Sequence, residues 1–102
     1  MYMINHVVLF KLKEYDSEEK KAGVLSEIKE ALLGLKEKIA ELKYIEVGTN
    51  YQLAAKSFDI CLITHFESIA DLETYAVHPD HLKVVEIVRR HAIDRAVVDF
   101  EF

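Results

Sequence analysis

Hydrophobic and polar residues alternate at the start of the chain, from residue 3 to residue 13. This period of two residues is typical of a β-strand. One face of the strand carries Ile4, His6, Val8, Phe10 and Leu12, and the other face carries Val7 and Leu9. The pattern therefore predicts a first strand with apolar side chains on both faces.

The period then changes to that of a helix. Leucine and isoleucine recur every three or four residues at Leu25, Ile28, Leu32, Leu35, Ile39 and Leu42. Asp16 followed by Glu19 resembles a capping box, so a long amphipathic helix is predicted to begin near Ser17. Gly34 interrupts the stripe at a cost of about 1 kcal/mol relative to alanine. Either one helix continues through it, or a helix ends near Leu33 and a short helical turn follows over residues 35–40.

Two further strands are predicted over residues 44–50 and 57–66, and the second alternates more strongly. Ser68 with Asp71 marks the start of a second helix, which should end before Pro79 because a residue preceding proline avoids the helical conformation. Proline suits the first turn of a new helix. A third helix is therefore predicted over residues 80–92, and a last strand over residues 96–102.

The predicted order is strand, helix, strand, strand, helix pair, strand. This is the split βαβ arrangement of an α+β, ferredoxin-like protomer, with helices on one face of a four-stranded antiparallel sheet. Residues 1–102 are long enough for one domain with a single core. Because strands carry apolar side chains on both faces, and burial stabilises by about 25 cal/mol per Å², we expect a homodimer whose sheets pack face to face. The space between the sheets could hold a ligand.

Composition narrows the possible partners. Hydrophobic residues make up 51% of the chain and charged residues 30%, with a formal net charge of −5, which favours a globular protein over a disordered one. No basic cluster exceeds a pair, so neither nucleic acid nor an anionic membrane is an expected partner. The start of the chain lacks the layout of a signal peptide, and Cys61 has no second cysteine to pair with. A cytoplasmic location is expected.

The candidate chemistry lies in residues 75–81, where a phenol and two imidazoles surround the only proline. At 100° per residue, His81 shares the inward sector of the third helix with Val84, Val85, Val88 and Ala92. An inward imidazole could act as an acid or a base near neutral pH. From the residues alone, a core histidine bonded to a backbone carbonyl is the favoured alternative. Tyr75 is expected at the edge of its helix's apolar stripe, with its hydroxyl reaching a cavity or water.

The other histidines carry weaker expectations. His6 shares a strand face with apolar residues and should face a buried space, which we expect to be the dimer interior. His65 is expected to face the helices or an edge, and His91 is assigned no chemistry. His78 and His81 are three residues apart, whereas two histidines of a zinc helix are four apart, so no metal site is expected. The chain also lacks a glycine-rich nucleotide loop.

Five segments together resemble the stress-responsive dimeric α/β barrel (Dabb) family. They are HVVLFKLK at residues 6–13, VGTN at 47–50, FES at 66–68, YAVHPDH at 75–81 and VVDF at 97–100. The resemblance covers nearly the whole chain. It implies a ferredoxin-like protomer whose sheet pairs with that of a second copy to form a barrel.

One plant member of that family is a polyketide cyclase that closes a linear poly-β-keto thioester by aldol condensation without a cofactor. By similarity, His81 would be the general base, and Tyr75 would orient it or stabilise developing charge on a carbonyl oxygen. His6 is similar to the cyclase's strand histidine, and Ile60 stands where the cyclase has another pocket histidine. The resemblance thus implies that His6, Ile60, Tyr75 and His81 bind the ligand, with no cofactor and no metal.

Three functions remain open from the sequence. The first is the binding of a small apolar or aromatic molecule in a pocket of the homodimer. The second is a cofactor-independent reaction of the cyclase or lyase type, with His81 as base and Tyr75 as its partner. The third is a purely structural dimer.

Overall fold

The computed structural model describes residues 2–51 and 56–102. The elements follow the predicted order: β1 (Ile4–Leu12), α1 (Glu18–Leu33), α2 (Leu35–Lys38), β2 (Tyr44–Thr49), β3 (Ile60–Phe66), α3 (Ile69–Val77), α4 (Pro79–Arg89) and β4 (Ala92–Glu101). The four strands form one antiparallel sheet in the order β2-β3-β1-β4. This is the predicted α+β, ferredoxin-like protomer.

The hydrophobic core lies between the helices and one face of the sheet. Alternate residues of β1 and β3 supply the sheet side of this core, and the helices supply the stripe read from the sequence. The buried members are Ile4, Val8, Phe10, Leu12, Ile60, Leu62 and Phe66 from these two strands, and Ile28, Leu32, Leu35, Tyr75, Val84 and Val88 from the helices. Strand parity therefore separates this helix-covered face from the opposite one.

The helix ends follow local rules, with one correction. The side chain of Ser17, and not that of Asp16, caps α1 by accepting a hydrogen bond from the Lys20 backbone N–H at 3.1 Å. The chain turns at Gly34 and continues as the short α2, so the interrupted version of the first helix is the observed one. Ser68 caps α3 as predicted, accepting from the Asp71 backbone N–H at 3.1 Å.

The break between α3 and α4 is set by His78 and Pro79. His78 has extended backbone with ψ of 135°, and its ring Nδ1 accepts the Asp80 backbone N–H at 3.1 Å. Pro79 follows at the first helical position, where its missing N–H costs nothing. This start fixes the direction in which the side chain of His81 leaves the first turn of α4.

Two strand boundaries differ from the predictions. β3 begins at Ile60 and not at residue 57; the preceding Asp59 is buried, and its carboxylate accepts the Leu12 backbone N–H and pairs with Lys21, each at 2.7 Å. β4 begins at Ala92 and not at residue 96, because it pairs with β1 as far as Leu12 across a register shift. The third helix accordingly ends at Arg89.

The opposite face of the sheet, here called the open face, carries Val7, Leu9, Cys61, Ile63, Val98 and Phe100. None of the helices in the described ranges packs against it. Val98 is 60% exposed and Phe100 46% exposed. Within the same ranges, no helix is long and apolar enough to cross a membrane.

Candidate functional site

A cavity of about 650 Å³ lies between the helix-covered face of the sheet and the helices α3 and α4. His6, Tyr75 and His81 all line it. Its apolar wall includes Val8, Phe10, Leu62, Leu72, Val84 and Val88. The cavity therefore belongs to one protomer, whereas the sequence had led us to expect a pocket between the sheets of a dimer. We call it the helix-side cavity.

Tyr75 is the most deeply buried polar side chain of this cavity. It is 1% exposed, where a boundary position was predicted. Its ring packs against Phe66 and His81, with ring centroids 4.9 Å and 4.3 Å away. Its hydroxyl is buried and has no hydrogen-bond partner among the described residues. Burial raises the pKa of Tyr75 to about 12, so the hydroxyl keeps its proton at neutral pH and can donate it to a bound molecule.

His81 points inward as predicted, and it is also bonded to a backbone carbonyl. Its Nδ1 lies 3.0 Å from the Ala76 carbonyl oxygen. A carbonyl can only accept, so Nδ1 carries the hydrogen and Nε2 carries the lone pair. Burial lowers the pKa of His81; the Ala76 bond opposes this shift, and the nearby charges of His6, Arg95 and His78 add to it. The ring is therefore neutral at pH 7 and offers Nε2 as an acceptor or base.

His6 enters the cavity from β1. It faces the helices, not the interior between two sheets that we had expected, because it shares strand parity with the buried Val8. Its register partner on β4 is Asp99, and its Nδ1 donates a hydrogen bond to the Asp99 carboxylate. Sequence reasoning missed Asp99. The antiparallel pairing of the first and last strands is the signal that could have found it, since both residues fall on one face.

Ile60 is buried but does not join these residues. It borders a separate hollow at the β2–β3 end of the sheet, beside Gly48 and Thr49. The structure therefore brings together His6, Tyr75 and His81, and leaves the fourth residue implied by the resemblance outside the helix-side cavity.

The remaining histidines have structural contacts. His65 lies on the open face, stacked on Tyr44 with ring centroids 4.6 Å apart and tilted on Phe102 at 4.5 Å. This corrects the expectation that it faces the helices or an edge. Burial lowers the pKa of His65. His91 lies 2.7 Å from the Tyr15 hydroxyl and 3.4 Å from a Glu27 carboxylate oxygen, which ties the first loop to α1 and the end of α4.

Cation-binding side chains do not converge in the part of the chain that the structure describes. No group of three or more histidine, cysteine or acidic residues there could hold a metal ion. Cys61 is a free thiol on the open face, in the middle of β3. The polar side chains that line the helix-side cavity are thus one phenol, two imidazoles and the charged groups of Arg89 on α4 and of Asp94 and Arg95 on β4.

Comparison with known proteins gives a family match over residues 4–102, to the stress responsive A/B barrel domain. A curated relative from Arabidopsis thaliana, the stress-response A/B barrel domain-containing protein DABB1, is 32% identical over 87 residues. The match covers 82% of this chain but only 40% of that relative. The chain therefore spans less than half the length of this curated protein.

Two solved structures bear on the fold. A dimeric protein of unknown function with a ferredoxin-like fold, from Bacteroides fragilis, is 37% identical with a TM-score of 0.88, covering 98% of this chain and 96% of that one. A hydroxynitrile lyase from Passiflora edulis has a TM-score of 0.78, covering 98% and 93% of the two chains, but is only 17% identical. The second likeness is one of fold alone.

Proposed function

This chain belongs to the stress responsive A/B barrel domain family, and we propose that it binds a small apolar or aromatic molecule in the helix-side cavity. The observation that carries the proposal is the Tyr75 hydroxyl, which is buried in the wall of a ligand-sized cavity without a hydrogen-bond partner among the described residues. A buried, unsatisfied polar group costs about 1–3 kcal/mol. A ligand with an acceptor atom would remove this cost.

The shape and polarity of the cavity define the ligand further. A volume of about 650 Å³ falls within the range of small-molecule sites. The aliphatic and aromatic wall would bury the body of the ligand. Tyr75 would donate to a carbonyl, ether or hydroxyl oxygen, while Nε2 of His81 would accept a hydrogen bond. A carbonyl compound with an apolar body satisfies the Tyr75 donor, and a hydroxyl group on the same body would also satisfy Nε2 of His81.

The test compares acetophenone with ethylbenzene, which has a similar shape but no carbonyl, in NMR titrations of the wild-type chain and of Tyr75→Phe. We expect the substitution to weaken acetophenone binding about tenfold, the equivalent of one hydrogen bond. Ethylbenzene binding should not weaken. Equal effects on both molecules would refute the role of Tyr75, and the absence of binding by either would refute the cavity as a ligand site.

A cofactor-independent reaction is the second candidate, and the geometry of His81 favours it. The Ala76 carbonyl orients the ring and leaves Nε2 free to take a proton from a carbon next to a carbonyl group. The electron pair of that C–H bond would move into the carbonyl, and the Tyr75 hydroxyl would stabilise the enolate oxygen that forms. Aldol-type ring closure begins with such a proton transfer.

This second candidate has a direct assay. Exchange of the acetophenone methyl protons for deuterium in D₂O needs only a base and a group that stabilises the enolate. If the protein catalyses enolisation, His81→Gln should reduce the accelerated exchange by about 10²-fold or more. Exchange in the presence of wild-type protein at the rate of buffer alone would leave binding as the function.

We also infer that the chain forms a homodimer through the open face. The support is the row of exposed apolar side chains on that face and the dimeric state of the Bacteroides fragilis relative. A purely structural dimer is the third candidate, and the cavity lined by Tyr75 and His81 argues against it. A cytoplasmic location without nucleic-acid or membrane partners remains our prediction.

A further inference from the structure

Arg95 lies at the mouth of the helix-side cavity, and the functions proposed so far do not use it. It is the register partner of Phe10, so the two side chains share the helix-covered face of the sheet. Both residues line the cavity. Arg95 is itself exposed, on the edge strand β4, which places its guanidinium where the cavity meets solvent.

The guanidinium of Arg95 has no carboxylate partner within the described ranges. Arg89 also lines the cavity, but it pairs with Glu86 at 3.3 Å. The neighbouring Asp94 carboxylate accepts a hydrogen bond from the backbone N–H of Arg95 at 2.8 Å, and not from its guanidinium. Asp99 lies four residues further along β4 on the same face, and its carboxylate accepts a hydrogen bond from His6. An arginine fork therefore remains available at the cavity mouth.

The positive charge of Arg95 affects the protonation of His81 in the cavity. It is one of the groups that disfavour protonation of His81, after burial and together with His6. The chain as a whole is acidic, with a formal net charge of −5. An anion entering this cavity would thus leave a repulsive surface and meet a local cation beside an apolar space.

We propose that the helix-side cavity selects amphipathic monocarboxylates, with the apolar body between sheet and helices and the carboxylate on the guanidinium of Arg95. This rests on the proposed binding function and adds a class of ligand to it. A carboxylate matches the planar, two-pronged donor set of arginine. A doubly charged phosphate fits less well, because Asp94 and Asp99 flank the same stretch of β4.

The experiment uses 3-phenylpropanoate and 3-phenylpropanamide, which have the same carbon skeleton and differ in charge. Isothermal calorimetry on the wild-type chain should give at least about tenfold tighter binding for the carboxylate. Arg95→Gln should remove this preference by weakening carboxylate binding more than amide binding, while Arg95→Lys should restore part of it. The matched control is Arg90→Gln, an exposed arginine outside the cavity, which should keep the full preference.

The outcomes separate the two proposals. If the amide binds as tightly as the carboxylate, or if Arg95→Gln keeps the wild-type preference, the carboxylate proposal is overturned and ligand binding stands. If Arg90→Gln loses the preference to the same extent, the effect comes from general charge and the role of Arg95 is refuted. If neither compound binds the wild-type chain, both the ligand class and the binding function fail.

Discussion

Both faces of the sheet carry apolar side chains, but the two faces differ in what covers them. The helix-covered face is closed by the protein's own helices, and its packing leaves a cavity in which the hydroxyl of Tyr75 has no partner among the described residues. The open face has no helix of its own in the described chain, and its aromatic groups pack on one another, as His65 does between Tyr44 and Phe102. The helix-covered face thus contains the proposed ligand site, and the open face contains the proposed dimer interface.

This difference assigns the proposed ligand site and the proposed dimer interface to opposite faces, whereas the sequence had led us to expect both between the two sheets. We had placed the ligand site inside the dimer, because apolar strands on both faces suggested one shared interior. The structure instead places His6, Tyr75 and His81 on the side away from the open face. We therefore expect that substitutions can change the proposed ligand binding and the proposed dimer formation independently, and the following predictions test that independence.

The largest expected effect is on the helix-covered face. Phe66 is fully buried there, with 0% exposure, and packs against Tyr75. Phe66→Ala should lower the free energy of unfolding by about 3–5 kcal/mol, since it removes buried contacts and leaves a cavity. Urea unfolding followed by circular dichroism measures this. The control is Phe100→Ala on the open face, in a chain kept monomeric, where we expect about 1 kcal/mol or less. Equal losses would contradict the difference between the faces.

The next effect is on assembly. Val98→Asp places an unpaired carboxylate in the middle of the proposed dimer interface, where its desolvation costs several kcal/mol. The dimer dissociation constant should rise about 100-fold or more, while the circular dichroism spectrum of the protomer is unchanged. Sedimentation equilibrium measures the constant. Val77→Asp, at a site on the helix layer that is also exposed, should leave the dissociation constant unchanged. If Val98→Asp remains as dimeric as the wild type, the open face is not the interface.

A smaller effect is expected from pH. Burial lowers the pKa of His65 on the open face and of His81 in the cavity, so each folded environment disfavours the protonated ring. The free ring takes up its proton first as the pH falls below about 6.5, so stability linked to either histidine is lost below that pH. A partner sheet on the open face would bury His65 further and lower its pKa again, whereas the surroundings of His81 would not change. The dimer should therefore weaken between pH 7.5 and pH 5.5, by about tenfold for each unit by which dimerisation lowers the pKa of His65.

Substitution of each histidine assigns this pH dependence to a face. Sedimentation equilibrium across the same range should show a flatter pH profile for His65→Gln. His81→Gln should keep the wild-type profile, because its ring faces the cavity. A profile that flattens only in His81→Gln would mean that the two faces are coupled, against our account.

The helices and strands could be predicted from the sequence better than the side of the sheet on which each strand residue lies. Local signals such as the Ser68 cap, Pro79 and the leucine stripe act within a few residues, so they could be read directly. The inward direction of His81 followed from helical phase. The face chosen by His6 could not be predicted, because the first strand is apolar on both sides and alternation alone does not say which side the helices cover.

Two residues of the site escaped prediction for a related reason. Arg95 reaches the cavity, and Asp99 reaches His6, only through the pairing of β4 with β1, which joins residues about 90 positions apart along the chain in the case of His6 and Asp99. The edge strand is exposed over most of its length, so residues 92–95 show no apolar alternation and were assigned to a helix and a loop. Tyr75 was placed at a boundary because helical phase does not reveal how deeply a neighbouring layer covers it.

The most direct test of the central claim is the location of a bound ligand. Intermolecular nuclear Overhauser effects from acetophenone protons should reach the methyl groups of Leu72 and Val88, which line the helix-side cavity. The methyl groups of Ile63 and Val98, on the open face, should show none. Contacts to Ile63 and Val98 without contacts to Leu72 and Val88 would place the ligand on the open face and contradict the account.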